Sequence, residues 1–326
     1  MKGPEPMTQT AAGAFPLRRF AATRISQAIE GDLRDPAKTA TIEDVHRSAL
    51  NIRWGDRLVT VAHESMGGLP NGILIDPPLA LDQIGIALGM PVQCDGIGLR
   101  VPGASMVVFL AGAVSWSPAM PVVRGMPVAE QTRRAEEALG LAAGHAPHIG
   151  LGPLLVGIVD QGTSVGSLGR AAARSLAEVV LALGAGASER AVSAIIPLIG
   201  LGPGATPSGD DLLVGFTAGL AVTDHPLAGA FAAGVAREGA GRTTSVAESY
   251  LLHAGRLEFS ERVHAAAIAV LVGQEAELPR AMTTALAWGA SSGADLLVGL
   301  LVGIQASAPG LSERLQACAN ERKVAA

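Results

Sequence analysis

Three aspartates, one arginine and a set of hydroxyls stand where a polypeptide could handle a small anion. The densest stretch runs Gly200-Leu-Gly-Pro-Gly-Ala-Thr-Pro-Ser-Gly-Asp-Asp-Leu-Leu-Val-Gly. Pro203 and Pro207 fix φ, while Gly200, Gly202, Gly204 and Gly209 free it. The loop is therefore stiff, yet able to bring backbone N–H groups close to a bound group. A helix beginning at Ser208 or Asp210 adds unsatisfied amide donors and a positive dipole end at the same point. Gly202, Gly204, Thr206, Ser208 and Gly209 are the ligand-binding candidates of this loop, and Asp210 and Asp211 its catalytic candidates.

The pattern returns near the end of the chain. Ser208-Gly-Asp-Asp-Leu-Leu-Val-Gly aligns with Ser292-Gly-Ala-Asp-Leu-Leu-Val-Gly, and glycine recurs at Gly215 and Gly219 in one copy and at Gly299 and Gly303 in the other. Each copy puts a serine cap and an acidic first turn ahead of a helix. Glycine at every fourth position lets two helix backbones approach closely, so the two helices are expected side by side with their N-termini at one end. Ser291, Ser292, Gly293 and Asp295 join the binding candidates.

A third segment, Gly239-Ala-Gly-Arg-Thr-Thr-Ser-Val-Ala-Glu, offers the forked cation Arg242 and the hydroxyls of Thr243 and Thr244 ahead of another helix. A plain cap, Thr244 or Ser245 with Glu248, uses the same residues. If this helix lies beside the repeat pair, three N-termini converge, with Asp210, Asp211 and Asp295 opposite Arg242. Amides and Arg242 would hold an anionic end of a substrate, and the carboxylates an amide or ammonium group. Asp210 and Asp295 would also suffice for Mg²⁺, although no residue pattern demands a metal.

Other chemistry is poorly supported. His46, His63, His145, His148, His253 and His264 are scattered, and each is more simply a core or surface histidine than a general base. Gly-x-Ser-x-Gly and a Ser/His/Asp pattern are absent, so a covalent nucleophile has no support. Asn71-Gly72 reads as a hairpin turn between apolar strands, with the Asn71 side chain able to reach a ligand from a sheet rim.

Composition bounds the rest. The 326 residues suffice for about two domains. Hydrophobic residues make up 49%, with few aromatics and 41 glycines, so the core must be built from Ala, Leu and Val in closely packed helices. A net charge of −5 without a Lys/Arg cluster argues against nucleic acid. The uncharged runs 101–123 and 138–159 are interrupted by prolines, so neither is expected to span a membrane. Arg18-Arg19 is followed by charges rather than an apolar stretch, and two distant cysteines make no disulfide framework. A cytoplasmic protein is the expectation.

The elements that must position these residues divide in two. Residues 1 to 14 form a loose lead-in, with a short amphipathic helix expected over 15–29, making up a segment of residues 1–36. From 37 to 126 short β-rich segments alternate with turns: 39–46, 49–54, 57–63, 72–75, 97–101, 106–110 and 114–116. From 127 to 326 the spacing is helical. Strands followed by helices predict an α+β chain, an antiparallel sheet or small barrel and then an all-helical domain, with the boundary near 124–127.

Taken together, Leu198-Ile-Gly-Leu-Gly-Pro-Gly-Ala-Thr-Pro-Ser-Gly-Asp-Asp, Arg242-Thr-Thr and Ser291-Ser-Gly-Ala-Asp resemble the AllH-like family, a domain family long labelled as of unknown function. The resemblance covers about residues 38 to 305, including Ser48-Ala-Leu-Asn and Pro70-Asn-Gly. The family's namesake is a subunit of oxamate carbamoyltransferase in anaerobic allantoin breakdown. The resemblance implies a part in phosphorolysis of oxalurate to oxamate and carbamoyl phosphate, together with other subunits and with no covalent intermediate. Relatives often carry His where this chain has Ala290, which puts a proton-shuttling role there in question. Two other roles fit the same residues: a structural or ligand-sensing subunit, and a metal-dependent enzyme acting on a small amide.

Overall fold

The computed structural model describes residues 17–33, 39–76 and 80–320; the lead-in expected over residues 1–14 lies outside them. Nine strands make the first unit: β1 (Arg18–Ser26), β2 (Ala40–Val45), β3 (Ala49–Trp54), β4 (Arg57–His63), β5 (Gly72–Asp76), β6 (Pro91–Cys94), β7 (Gly98–Val101), β8 (Met106–Phe109) and β9 (Val114–Trp116). Their order β5-β4-β3-β2-β6-β7-β8-β1 closes through a β1–β5 pairing, giving an eight-stranded barrel with β9 added on β1. Closure removes the open edges that a flat sheet would expose. The barrel is mixed, with β1–β8 and β4–β5 parallel and the other described pairings antiparallel. A short helix α1 (Gln27–Leu33) buries Ile29 and Leu33 in its core beside Phe20, Ile52 and Trp54.

Two local expectations are corrected here. The helix expected over 15–29 is strand β1 for most of its length. Its apolar spacing suits a short amphipathic helix, but Phe20 and Ala22 alternate inward with Arg19 and Ala21 facing out. Arg18–Ala21 pair with β8 and Ala21–Ile25 with β5, and this tertiary pairing overrides propensity. Asn71-Gly72 is not a hairpin turn: β4 and β5 run parallel, so the chain must cross between them. Within that crossing, Gly67–Asn71 belongs to the helical unit, which takes over the rest of the chain from Trp116. Gly55 turns the β3–β4 hairpin, with φ of 62°.

The second unit is helical: α2 (Val128–Ala143), α3 (Gly152–Val159), α4 (Gly166–Gly184), α5 (Ser188–Ile195), α6 (Ser208–Val222), α7 (Ala228–Gly239), α8 (Ser245–Ala254), α9 (Glu261–Val272), α10 (Leu278–Leu286), α11 (Ser292–Ile304) and α12 (Leu311–Asn320). No helix among the described residues is long and apolar enough to cross a membrane. Pro153, which suggests a break in sequence, instead sits in the first turn of α3, where proline costs no hydrogen bond.

Helices α6 and α11, the two repeat copies, are buried almost all round, as a central pair must be. Helices α7, α8 and α9 pack on α6, and α2, α3 and α10 on α11. The pair is in backbone contact. A Cβ on Gly215 would fall 2.1 Å from the Leu296 carbonyl oxygen, and one on Gly299 would fall 1.9 Å from that of Leu212. Gly219 lies likewise against Leu300 and Gly303 against Phe216. Contacts advance in the same direction along both helices, so the helices are parallel, and each glycine meets the counterpart of the residue that its own counterpart meets. The pair thus has a local two-fold relation between the repeats.

Gly299→Ala is expected to cost about 3 kcal/mol or more, because the helices must separate to admit the methyl group. Gly140→Ala, in α2 with nothing within 4 Å of the added carbon, should instead gain about 0.5–1 kcal/mol. Chemical denaturation of both variants checks the contrast, and a harmless Gly299→Ala would refute the backbone contact.

Candidate functional site

Parallel packing brings the N-termini of α6 and α11 together, and α8 joins them. Thr206 Oγ1 and Ser292 Oγ lie 3.1 Å apart across the pair. Thr243 Oγ1 donates to Asp210 Oδ2 at 2.5 Å, and Thr244 Oγ1 to the Ala205 carbonyl. Thr244 also caps α8 by accepting from Ala247 N at 3.2 Å. The three helix ends expected to converge therefore do so, laced by side chains of the glycine-proline loop and the 242–244 segment. Gly202, with φ of 110°, lets the loop double back until a Cβ there would fall 3.0 Å from Ser208 N.

Ser208 and Ser292 do not act as caps. They are the first residues of their helices, behind Pro207 and Ser291, and neither N-terminus has a side-chain cap. Their hydroxyls cross the pair instead: Ser208 favours the ionised form of Asp295, and Ser292, with Thr206, that of Asp211. The exchange follows the two-fold relation of the repeats.

Asp210, Asp211 and Asp295 are all buried. Asp210 accepts from Gly200 N at 3.1 and 3.3 Å in addition to Thr243, and loss of water still raises its pKa. Asp295 accepts from Leu151 N at 2.5 Å beneath Gly150, where a Cβ would fall 2.5 Å from its Oδ1; burial raises its pKa also. Asp211 is 8% exposed, and burial, with the charges of Asp295 and Asp210 adding to it, pushes its pKa up to about 7. Oδ2 of Asp211 and of Asp295 are each buried without a hydrogen-bond partner among the described residues. A buried carboxylate oxygen without a donor is costly, and that cost favours a proton or a donor from a ligand there.

Several expected donors are otherwise engaged. The amides of Gly209, Asp210, Asp211 and Gly293 donate to the carbonyls of Leu201, Pro207, Pro207 and Trp288, so the loop is less of an amide cradle than its sequence suggests. Gly204, although its φ of 103° keeps the turn, makes no close contact of this kind. Arg242 is half exposed and pairs with Glu238 at 3.2 Å; no hydrogen bond or ion pair among the described residues joins it to the three aspartates. Asn71 is buried and donates to Ser249 Oγ at 3.3 Å, inside the helical unit. Among the described residues no group of three or more His, Cys, Asp or Glu could hold a metal ion. His253 pairs with Glu258 at 2.7 Å and His264 with the Pro118 carbonyl at 3.1 Å.

Sequence reasoning missed Tyr250, the single tyrosine of the chain, on α8. Loss of water pushes its hydroxyl up to about 12, the charge of Asp211 adding to the rise and Arg262 opposing it. Its rarity was a usable signal; the approach of Gly150–Leu151 to Asp295 had none.

Asp211 holds its proton to about pH 7 in the folded chain against an ordinary value of 3.8. Stability from that proton is complete below about pH 4 and is lost as pH rises to about 7, at ~1.4 kcal/mol per unit. Asp211→Asn, neutral throughout, should flatten that loss and be the more stable chain, relative to wild type, at pH 8 than at pH 4. Denaturation curves across this range check it; parallel curves for the two proteins would refute a protonated Asp211.

Comparison with known proteins now adds to this geometry. No curated protein and no solved structure matches the chain. The family described as oxamate carbamoyltransferase subunit AllH matches residues 198–304, which hold the glycine-proline loop and both repeat helices. The AllH family N-terminal domain matches residues 21–115, the strands of the barrel. With both halves matched in order, the chain belongs to the AllH family.

Proposed function

We propose that this chain is the AllH-type subunit of an oxamate carbamoyltransferase-like enzyme, and that the convergence of α6, α8 and α11 carries a small carbamoyl-bearing anion. The observation that supports this most directly is Asp211, a buried carboxyl near neutrality with one unpartnered oxygen, set among hydroxyls. Ser292 and Thr206 are the hydroxyls beside it, with Ser208 and Ser291 on Asp295, Thr243 on Asp210 and Thr244 on the Ala205 carbonyl; Asp210 and Asp295 hold the loop and the Gly150–Leu151 turn in place.

In phosphorolysis of oxalurate, a phosphate oxygen bonds to the carbamoyl carbon and the bond from that carbon to the oxamate nitrogen breaks. The departing nitrogen needs a proton. Asp211 supplies it, and the proton carried by the attacking phosphate restores the carboxyl. A group with a pKa near the working pH is suited to both halves of this exchange. Three positive helix ends favour the charge gathered on phosphate and oxamate. The family's subunit designation agrees with partner subunits completing the enzyme.

Reconstituted with its partner subunits, the wild-type enzyme should lose phosphorolysis activity as pH rises through about 7, and Asp211→Asn should lower kcat about 100-fold or more while the chain folds and assembles. Unchanged turnover in an assembled Asp211→Asn enzyme would overturn the assignment. Failed assembly with a normally folded chain would favour a structural role for the subunit.

A further inference from the structure

Residues four apart on a helix share a face. Asp211 stands four before Gly215, and Asp295 four before Gly299. Those two glycines are where each helix touches the other's backbone: a Cβ on Gly215 would fall 2.1 Å from the Leu296 carbonyl oxygen, and one on Gly299 would fall 1.9 Å from that of Leu212. One turn nearer the N-termini, the two aspartates therefore face each other across the open end of the glycine seam. They are also counterparts in the repeat, so the local two-fold relates one to the other. Thr206 Oγ1 and Ser292 Oγ, 3.1 Å apart and both on partly exposed residues, bridge the same opening, so solvent reaches the hydroxyls that adjoin the buried carboxyls.

The facing carboxyls are not bonded to each other. Asp295 is fully buried and Asp211 is 8% exposed, and among the described residues Oδ2 of each meets no hydrogen-bond donor. The other oxygen of Asp295 is engaged: Oδ1 accepts from Leu151 N at 2.5 Å. A Cβ on Gly150, whose φ is 58°, would fall 2.5 Å from Oδ1 and 3.0 Å from Oδ2, so the carboxylate lies against bare backbone and its orientation is fixed. A buried carboxylate oxygen in this state calls for an N–H or O–H from outside the chain. Two of them across one gap call for donors on neighbouring atoms. A ureide offers that arrangement, with its terminal amino group and its bridging nitrogen side by side along one edge, whereas a methyl group or an ester oxygen in either place donates nothing.

We infer that Asp295 Oδ2 accepts from the terminal carbamoyl NH₂ of the ligand while Asp211 meets the adjoining nitrogen, so that the facing pair selects for a carbamoyl group. This rests on the reading of the site as one for a carbamoyl-bearing anion. It makes Asp295 a specificity-determining residue as well as the fastening of the Gly150–Leu151 turn: one oxygen holds the turn and the other reads the ligand.

Calorimetric titration of the full chain with carbamoyl phosphate and with acetyl phosphate, in which a methyl group replaces the NH₂, tests this directly. The wild-type chain should bind carbamoyl phosphate about tenfold or more tightly than acetyl phosphate. Asp295→Asn keeps an oxygen for Leu151 N and puts an NH₂ where Oδ2 stood. It should weaken carbamoyl phosphate binding about tenfold or more and leave acetyl phosphate binding unchanged, so that the preference disappears. The comparison of the two ligands on the wild-type chain decides the matter even should Asp295→Asn fail to fold. Equal affinity of the wild-type chain for both ligands, a preference that survives in Asp295→Asn, or an equal loss of both ligands in that variant would overturn the assignment while leaving the proposed function standing. A wild-type chain that binds neither ligand would overturn the proposed function itself.

Discussion

The backbone contact between α6 and α11 is the constraint on which the helical unit depends. Two helices normally stay apart by the width of their side chains, about 8–10 Å between axes. Gly215, Gly219, Gly299 and Gly303 remove those side chains along one seam, and carbonyl oxygens of the facing helix occupy the space. Because the contact is parallel, it also brings two positive helix ends to one place, an arrangement that like dipoles oppose and that needs negative charge nearby to offset it. Asp210 and Asp295 offer carboxylates from the first turns of the same helices.

The carboxyls bring a cost of their own. Burial raises the pKa of all three, although hydroxyl and amide donors pull the other way. Asp210 and Asp295 are each tied to a backbone amide of another segment and serve to fasten it. Among the described residues Asp211 has no such tie, and burial pushes its pKa up to about 7. A site in which two acids are structural and the third can exchange a proton follows from that difference in donors, not from any difference in side-chain chemistry.

The segment Gly67–Asn71 lies between two parallel strands in sequence and belongs to the helical unit. A hairpin there would have needed only a tight turn. A parallel pairing requires a longer excursion, and the chain uses it to place Asn71 on Ser249 and Gly67 beside Arg262.

Much of this was legible in the residues alone. The Ser-Gly-x-Asp-Leu-Leu-Val-Gly repeat with glycine at every fourth position determined a close helix pair with joined N-termini, since only a bare backbone can approach a second backbone so nearly. β3, β4 and α6 could be read to their end residues, and the α+β order was set by periodicity. Tertiary structure decided what periodicity cannot carry. It made a strand of Arg18–Ser26, because two neighbours supply the hydrogen bonds that a helix would have made within itself. It turned Ser208 and Ser292 from caps into crossing hydroxyls, engaged the loop amides with local carbonyls, and left Arg242 near solvent while setting Arg262 on Trp288. Residue type fixes which interactions a side chain can make, and spacing fixes its neighbours along one element. Which group it meets from another element, and how much water remains around it, are properties of the folded chain.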